Sequence, residues 1–275
     1  MKPRRFDYVC PDSADEAVAV LAEYGDAASV LAGGQSLMAM LNLRVAEPAV
    51  LIDITRLAEL DYIRVVGDMV EVGAAVTQNR LKDWPELADK LPLLAAALPF
   101  VGHFQTRNKG TVCGSIAHAD PSSEIPLSLA TLGGYVMLQS RRGRRVLAAS
   151  DFQCGMLTTA RAPDELIIAA HFPVQSTRGV AFQEVARRHG DFAILAIAAC
   201  VEDGNTMRIG IGGLADRPAV RRAAIDGVAA ATDMFDSLAQ ELEGYDDIHA
   251  SARLRRDLLR RLGPVVVEKA LRCVA

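Results

Sequence analysis

His103-Phe104-Gln105-Thr106-Arg107-Asn108-Lys109-Gly110-Thr111-Val112-Cys113-Gly114-Ser115-Ile116-Ala117-His118-Ala119-Asp120-Pro121 is a polar run that passes through a short glycine turn, Thr111 to Ser115. A turn of the same kind lies upstream, Ala32-Gly33-Gly34-Gln35-Ser36, ahead of the apolar run from Leu37 to Leu43. Glycine carries no Cβ, so it tolerates positive φ and lets a ligand come close to the backbone. Successive amides in such a turn form an anion-binding nest. Ser36 and Ser115 each add a hydroxyl, and a helix starting at Leu37 would aim its N-terminus at the anion. One turn suits one phosphate; the pair together suits a diphosphate, which points to a dinucleotide-type cofactor. Neither turn is followed by the Lys-Ser/Thr pair of a Walker A loop, and neither reads G-x-G-x-x-G. A Gly-Gly pair also serves as an ordinary tight turn, and on chemistry alone both readings stay open.

Around these turns the chain alternates strands and helices. Residues 12 to 25 predict a helix, with Ser13 and Glu16 as a capping box and Gly25 as the stop. Ala28 to Ala32 predicts a strand into the first turn, Leu37 to Leu43 a short helix out of it, and Ala49 to Ile54 a further strand. Residues 62 to 76 pattern as a hairpin about Gly67-Asp68. Thr77 caps an expected helix over 78 to 90, and Leu93 to Leu98 starts another. His103 to Lys109 is a polar stretch that enters the second glycine turn. Tyr135 to Gln139 and Arg145 to Ala148 form a hairpin about Arg142-Gly143, and Asp164 opens a strand. The polar segment Pro173 to Gly179 is expected as a domain boundary. Beyond it, Ile194 to Val201 and Met207 to Ile211 flank an Asp203-Gly204 turn, and the remainder is helical in pattern. Its last part carries Leu254, Leu258 and Leu262 among arginines, as an amphipathic helix would. Mixed elements with several hairpins predict an α+β fold and not a doubly wound parallel sheet.

The bulk numbers narrow the function. A chain of 275 residues with 51% hydrophobic residues can bury a large core, and its net charge of −4 offers no basic face for nucleic acid. The longest apolar runs, such as Phe192 to Val201, are too short to cross a bilayer, so no transmembrane segment is expected. Met1-Lys2-Pro3-Arg4-Arg5 is not followed by an apolar signal core, because Asp12, Asp15 and Glu16 interrupt it; a cytoplasmic protein is expected. Cys10, Cys113, Cys154, Cys200 and Cys273 are scattered and never form C-x-x-C, which argues against disulfides, zinc and iron–sulfur clusters on this chain.

Ala32-Gly33-Gly34-Gln35-Ser36-Leu37, then Leu43-Arg44 and Leu51-Ile52-Asp53-Ile54, resembles the N-terminal lobe of the FAD-binding medium subunit of molybdenum hydroxylases. That family includes xanthine dehydrogenase and carbon monoxide dehydrogenase. The block His103 to Pro121 is similar to the family's second flavin loop nearly throughout, and Arg187-Arg188-His189-Gly190-Asp191-Phe192-Ala193 resembles the start of its C-terminal domain. The resemblance covers essentially the whole chain. It implies two N-terminal α/β lobes of the vanillyl-alcohol-oxidase (PCMH) type, residues 1–56 and 57–174, and a C-terminal α+β domain of the CO dehydrogenase flavoprotein type, residues 175–275.

The resemblance also implies a cofactor site. Ala32, Gly33, Gly34, Gln35, Ser36 and Leu37 with Thr111, Cys113, Gly114 and Ser115 would hold the FAD diphosphate. Glu124 falls where the family accepts from the ribose or adenine side. Leu166 or Ile167 falls where an apolar residue lies against the adenine or flavin, and Phe192 where an aromatic neighbours the isoalloxazine. The family usually has glycine where this chain has Cys113, so that position must take a Cβ at negative φ; an inert small residue is the expected reading. His103 and His118 flank the loop as flavin-tuning or packing residues. Arg107 and Lys109 could neutralise the diphosphate, although Lys109 is expected as solvated surface; Arg187 and Arg188 could meet the cofactor or a partner, and Arg141 to Arg145 is expected as a solvated hairpin tip, with a docking edge for an acidic partner as the other reading. No residue is required as acid, base or nucleophile.

The implied activity is that of an oxidoreductase subunit which takes electrons from a partner's [2Fe-2S] clusters, holds them on FAD and passes them to an external acceptor. The implied partners are a molybdopterin-binding large subunit and a [2Fe-2S] small subunit, assembled as a dimer of heterotrimers. Two other classes remain: a non-redox nucleotide-binding or scaffold module using the same turns, and a self-contained FAD oxidase, for which the chain is short.

Overall fold

Val50–Asp53 is an unbroken buried strand, the pattern expected of a parallel strand covered on both faces. It lies between Asp7–Val9 and Ala28–Leu31 and runs parallel to both, which completes the first sheet. The helix Ala14–Tyr24 crosses from one strand to the next; Ser13 Oγ accepts its Glu16 amide, and Gly25 ends it at φ 52°. Glu16 reaches back to the Asp12 amide, one residue short of the usual capping-box partner. The computed structural model describes residues 2–175 and 179–273.

The second sheet is antiparallel throughout, in the order Ile63–Val66, Met69–Gly73, Leu166–Pro173, Tyr135–Ser140, Gly143–Ala148. Its central strand, Leu166–Pro173, is buried along almost its whole length. The chain between Gly73 and Tyr135 is helical, and its last helix, Glu124–Leu132, is buried on nearly every side. That helix is sandwiched against a third sheet, the antiparallel meander Val180–Val185, Leu195–Asp203, Thr206–Gly212, Ala219–Ala224. Gly210 makes the approach possible, since a Cβ there would run into Thr131 Oγ1.

The strand Leu195–Asp203 shows the period of two that sheet geometry demands. Ala196, Ala198 and Cys200 face the core shared with the first two sheets. Leu195, Ile197, Ala199 and Val201 face a second core, built with Phe235 and Leu259 from the helices Gly227–Glu241 and Ala252–Arg272. Those helices touch at Gly263, where a Cβ would strike the Phe235 ring.

Several local expectations need correction. The helix expected over 78 to 90 is broken into Gln78–Lys82 and Leu87–Lys90 around Trp84-Pro85, because proline lacks an amide proton and disfavours helix in the residue before it. The polar stretch His103 to Lys109, given no element from the sequence, contains a short helix, Phe104–Lys109, with no buried residue and so no apolar signature. Thr111 to Ser115 is less a turn than the cap and first turn of the helix Val112–His118. The region after Ile211 is not all helical, since Ala219–Ala224 is the outer strand of the third sheet. Part of the expected boundary, residues 176–178, lies outside the described residues.

Candidate functional site

The first glycine segment leaves the strand Ala28–Leu31 and enters the helix Leu37–Leu43. Gly34 sits at φ 68°, a left-handed value that favours glycine. Gly33 is required for another reason: a Cβ there would collide with the Lys109 carbonyl oxygen and sit 2.5 Å from Gly110 Cα. The Gly34 carbonyl accepts from the Met38 amide at 3.0 Å and the Ser36 carbonyl from Met40 at 3.1 Å, which starts the helix. The Ser36 side chain makes no capping bond. Among the described residues the amides of Gly33, Gly34, Gln35 and Ser36 donate to nothing within the protein. They form an open row of donors, with the hydroxyl beside them.

The second segment is built differently. Gly110 and Val112 extend along Val76 and Gln78: Gln78 N donates to Gly110 O at 2.8 Å, and Val112 N to Val76 O at 3.0 Å. Thr111 then caps the helix Val112–His118, its Oγ1 accepting from Gly114 N at 2.9 Å and its carbonyl from Ser115 N at 3.1 Å. Three amides of this segment are therefore engaged. What remains for a ligand is the positive end of a short helix and the Ser115 hydroxyl. A Cβ on Gly114 would lie 2.7 Å from Thr111 Oγ1 and 3.8 Å from Ala32 Cβ, so glycine here spares the cap and keeps the two segments close.

Cys113 is helical and buried, and its Sγ donates to the Val72 carbonyl at 3.6 Å. Burial pushes the thiol up to about 12, so it stays protonated and unreactive.

The two segments form the floor of one cleft of about 560 Å³. It is lined by Ala32 to Leu37, by Thr111, Cys113, Gly114 and Ser115, by Glu124, by Leu166 and Ile167, and by Phe192. Every cofactor-site residue named from the sequence thus meets in one place. Leu166 and Ile167 are buried, whereas Phe192 is 60% exposed at the mouth. Glu124 begins its helix with only 8% of its surface exposed. Burial pushes its carboxyl up to about 7, and it meets the carboxyl of Glu184 from the third sheet, which burial and the Glu124 charge push up to about 8.

The flanking residues divide. His118 lines the cleft; His103 does not, and packs edge-on against His189 with ring centroids 6.3 Å apart. Arg107 donates to the carbonyls of Val101 and Gly102 at 2.8 and 2.9 Å, which holds that loop instead of facing the floor. Lys109, Arg187 and Arg188 are exposed, and Arg188 pairs with Asp191 at 3.1 Å. The arginine hairpin tip is exposed, as expected, but two of its arginines are paired. Arg145 clasps Glu165 at 2.5 and 2.7 Å and the Ala160 carbonyl at 2.9 Å, while Arg142 pairs with Asp164. These bonds hold the segment ahead of Leu166.

Sequence reasoning missed Arg161 and Glu165, which also line the cleft. Arg161 donates to the Glu165 carbonyl at 2.6 Å, and burial pulls its guanidinium below the usual range. Their only sequence signal is a charged cluster just ahead of an apolar strand. Among the described residues no group of three or more His, Cys, Asp or Glu side chains could hold a metal, and no helix is long and apolar enough to cross a membrane.

The donor set fits FAD: bare amides and a helix terminus for a diphosphate, a buried carboxyl, and apolar walls for flat rings. Residues 4–175 match the family model described as the FAD binding domain in molybdopterin dehydrogenase. The alpha subunit of the 6-hydroxypseudooxynicotine dehydrogenase complex of Paenarthrobacter nicotinovorans is 35% identical over 284 residues, covering 98% of this chain and 96% of that one. The caffeine dehydrogenase beta subunit of Pseudomonas sp. (strain CBB1) is 41% identical over 203 residues, 73% of this chain and 69% of its own. Among solved structures, quinoline 2-oxidoreductase from Pseudomonas putida 86 superposes with a TM-score of 0.92 at 33% identity, covering 100% of both chains.

Proposed function

The chain belongs to the FAD-binding medium subunits of the molybdenum hydroxylases, and from that premise we propose that it relays electrons through FAD held between its two glycine segments. It is an oxidoreductase subunit of a multi-subunit complex. One observation carries the proposal: the cleft gathers every residue expected to touch the cofactor, from Gly33 to Phe192.

The chain's own residues divide the work. The free amides of Gly33 to Ser36 would bind one end of the diphosphate, and the hydroxyls of Ser36 and Ser115 would orient it. The N-terminus of Val112–His118 adds its dipole to the same charge. Glu124 accepts from the ribose or adenine side. Leu166 and Ile167, buried in the cleft wall, would exclude water along an apolar ring face, and Phe192, at the mouth, would neighbour the isoalloxazine. FAD supplies the redox chemistry when bound, and the protein supplies position and electrostatics.

Electrons arrive from [2Fe-2S] clusters on a small subunit, which receives them from a molybdopterin-bearing large subunit, and they leave to an external acceptor. The five scattered cysteines of this chain support that division of labour. The complex is a cytoplasmic dimer of such heterotrimers. We divide the chain at 1–56, 57–174 and 175–275, which gives each of the three large sheets its own unit.

The test is direct. The purified native complex should show flavin absorption, release FAD in equimolar amount with this chain, and lose its flavin bands when substrate is added anaerobically. A native complex without flavin, or one whose flavin stays oxidised under substrate, would refute the relay.

A further inference from the structure

Arg255 lies on the last helix, Ala252–Arg272, and only 1% of it is exposed. One terminal nitrogen donates to two backbone carbonyls, Ile194 O and Gly213 O, both at 2.6 Å. The other reaches Asp247 Oδ2, also at 2.6 Å, and the guanidinium lies 4.4 Å over the Tyr245 ring. A buried cation is expensive unless it is paired and hydrogen-bonded, so this one fixes its partners firmly.

Both carbonyls lead to the cleft. Ile194 closes the loop whose Gly190, Asp191 and Phe192 line the mouth, and its own amide is tied to Val185 O at 2.8 Å. Gly213 donates its amide to Pro121 O at 2.9 Å, and Pro121 directly precedes Ser122, Ser123 and Glu124, which line the opposite stretch. Gly213 sits at φ 79°, where a Cβ would lie 2.8 Å from Ile194 O, so the two carbonyls are packed side by side beneath one donor.

We propose that Arg255 is a positioning residue for the cofactor: from outside the cleft it pins the Gly190–Phe192 lip and the Pro121–Glu124 wall to each other. The inference rests on the cleft being the FAD site. The fork gives one nitrogen to the two carbonyls and the other to Asp247; a single ammonium on a shorter stem cannot occupy both places, so lysine gives up one side of this clasp and loosens one lip against the other. The cofactor then meets a wider, less defined mouth.

The experiment uses the full complex and measures the FAD dissociation constant and the visible circular dichroism of bound flavin, under conditions where each variant keeps the wild-type far-UV spectrum. Arg255→Lys is compared with Leu259→Ala, a buried position on the same helix that belongs to the second core. Arg255→Lys is expected to weaken FAD binding about tenfold and to change the flavin dichroism, with Leu259→Ala within about twofold of wild type. Wild-type affinity and spectrum in Arg255→Lys, or an equal loss in Leu259→Ala, would overturn the proposal. If Arg255→Lys does not fold, Asp247→Asn carries the test; it frees one side of the guanidinium and is expected to cost about threefold with a spectral change, and no change overturns the proposal. A wild-type complex that binds no FAD would overturn the cofactor reading, and this inference with it.

Discussion

Glu184→Gln is the perturbation for which the structure gives both a sign and a size. Glu184 lies on the strand Val180–Val185 and meets Glu124, whose carboxyl faces the cleft. Glu184 Oε2 is buried without a partner. Burial raises Glu124 from 4.5 to about 7 and Glu184 from 4.5 to about 8, so near neutrality the pair retains a proton that the unfolded chain has lost. The folded state therefore binds more protons than the unfolded state between about 4.5 and about 8, and stability falls as pH rises across that window. The raised Glu124 alone corresponds to about 3 kcal/mol, taking about 1.4 kcal/mol for each tenfold change in proton affinity. Glutamine cannot ionise, and its amide can donate to the Glu124 carboxylate. The variant should gain about 1–3 kcal/mol at about pH 8 and nothing at about pH 5, with a flatter slope between. Urea unfolding at a series of pH values reads this out. A wild-type slope in the variant, or a net loss at about pH 8, would refute the shared-proton reasoning.

Other outcomes follow from single contacts. Gly33→Ala places a methyl on the Lys109 carbonyl, so it should lower stability by about 1–3 kcal/mol in a thermal or urea titration and abolish FAD retention; an unaltered FAD content would mean the segment is only a connection. Thr111→Ala removes the cap that holds the Gly114 amide and should cost about 1 kcal/mol in unfolding free energy. A thiol reagent applied to the native protein should label the exposed Cys10, Cys154 and Cys273 and spare the buried Cys113 and Cys200; mass mapping shows which were modified, and rapid labelling of Cys113 would contradict its placement.

Much of the fold is legible in the sequence because its signals are local. Ser13 with Gly25 bounds a helix, and Gly67-Asp68 joins two alternating runs. Ala219–Ala224 is invisible at that level: it falls in the stretch that reads as helical, and the partners of Arg221 and Arg222, Glu241 on a helix and Glu202 on the next strand but one, meet them only in the folded chain. The cleft residues are legible as a group that comes together, since each lies in or beside a glycine segment or a family block. Their inequality was not legible. Whether an amide is free depends on what caps it, and Thr111 consumes the Gly114 amide while Ser36 caps nothing. The arginines mislead most, because hairpin latches at Arg142 and Arg145 and the buried Arg255 look like surface charge until their acceptors, distant in sequence, arrive.

The central claim is that the diphosphate lies between the two glycine segments. A crystal structure of the FAD-loaded chain tests it most directly. The diphosphate oxygens should lie within about 2.7–3.2 Å of amides from Gly33 to Ser36, with the other phosphate at the N-terminus of Val112–His118. FAD bound instead in the second cleft, the seam of about 610 Å³ between Leu129 and Phe152 on one side and Arg208 and Leu242 on the other, would contradict the account.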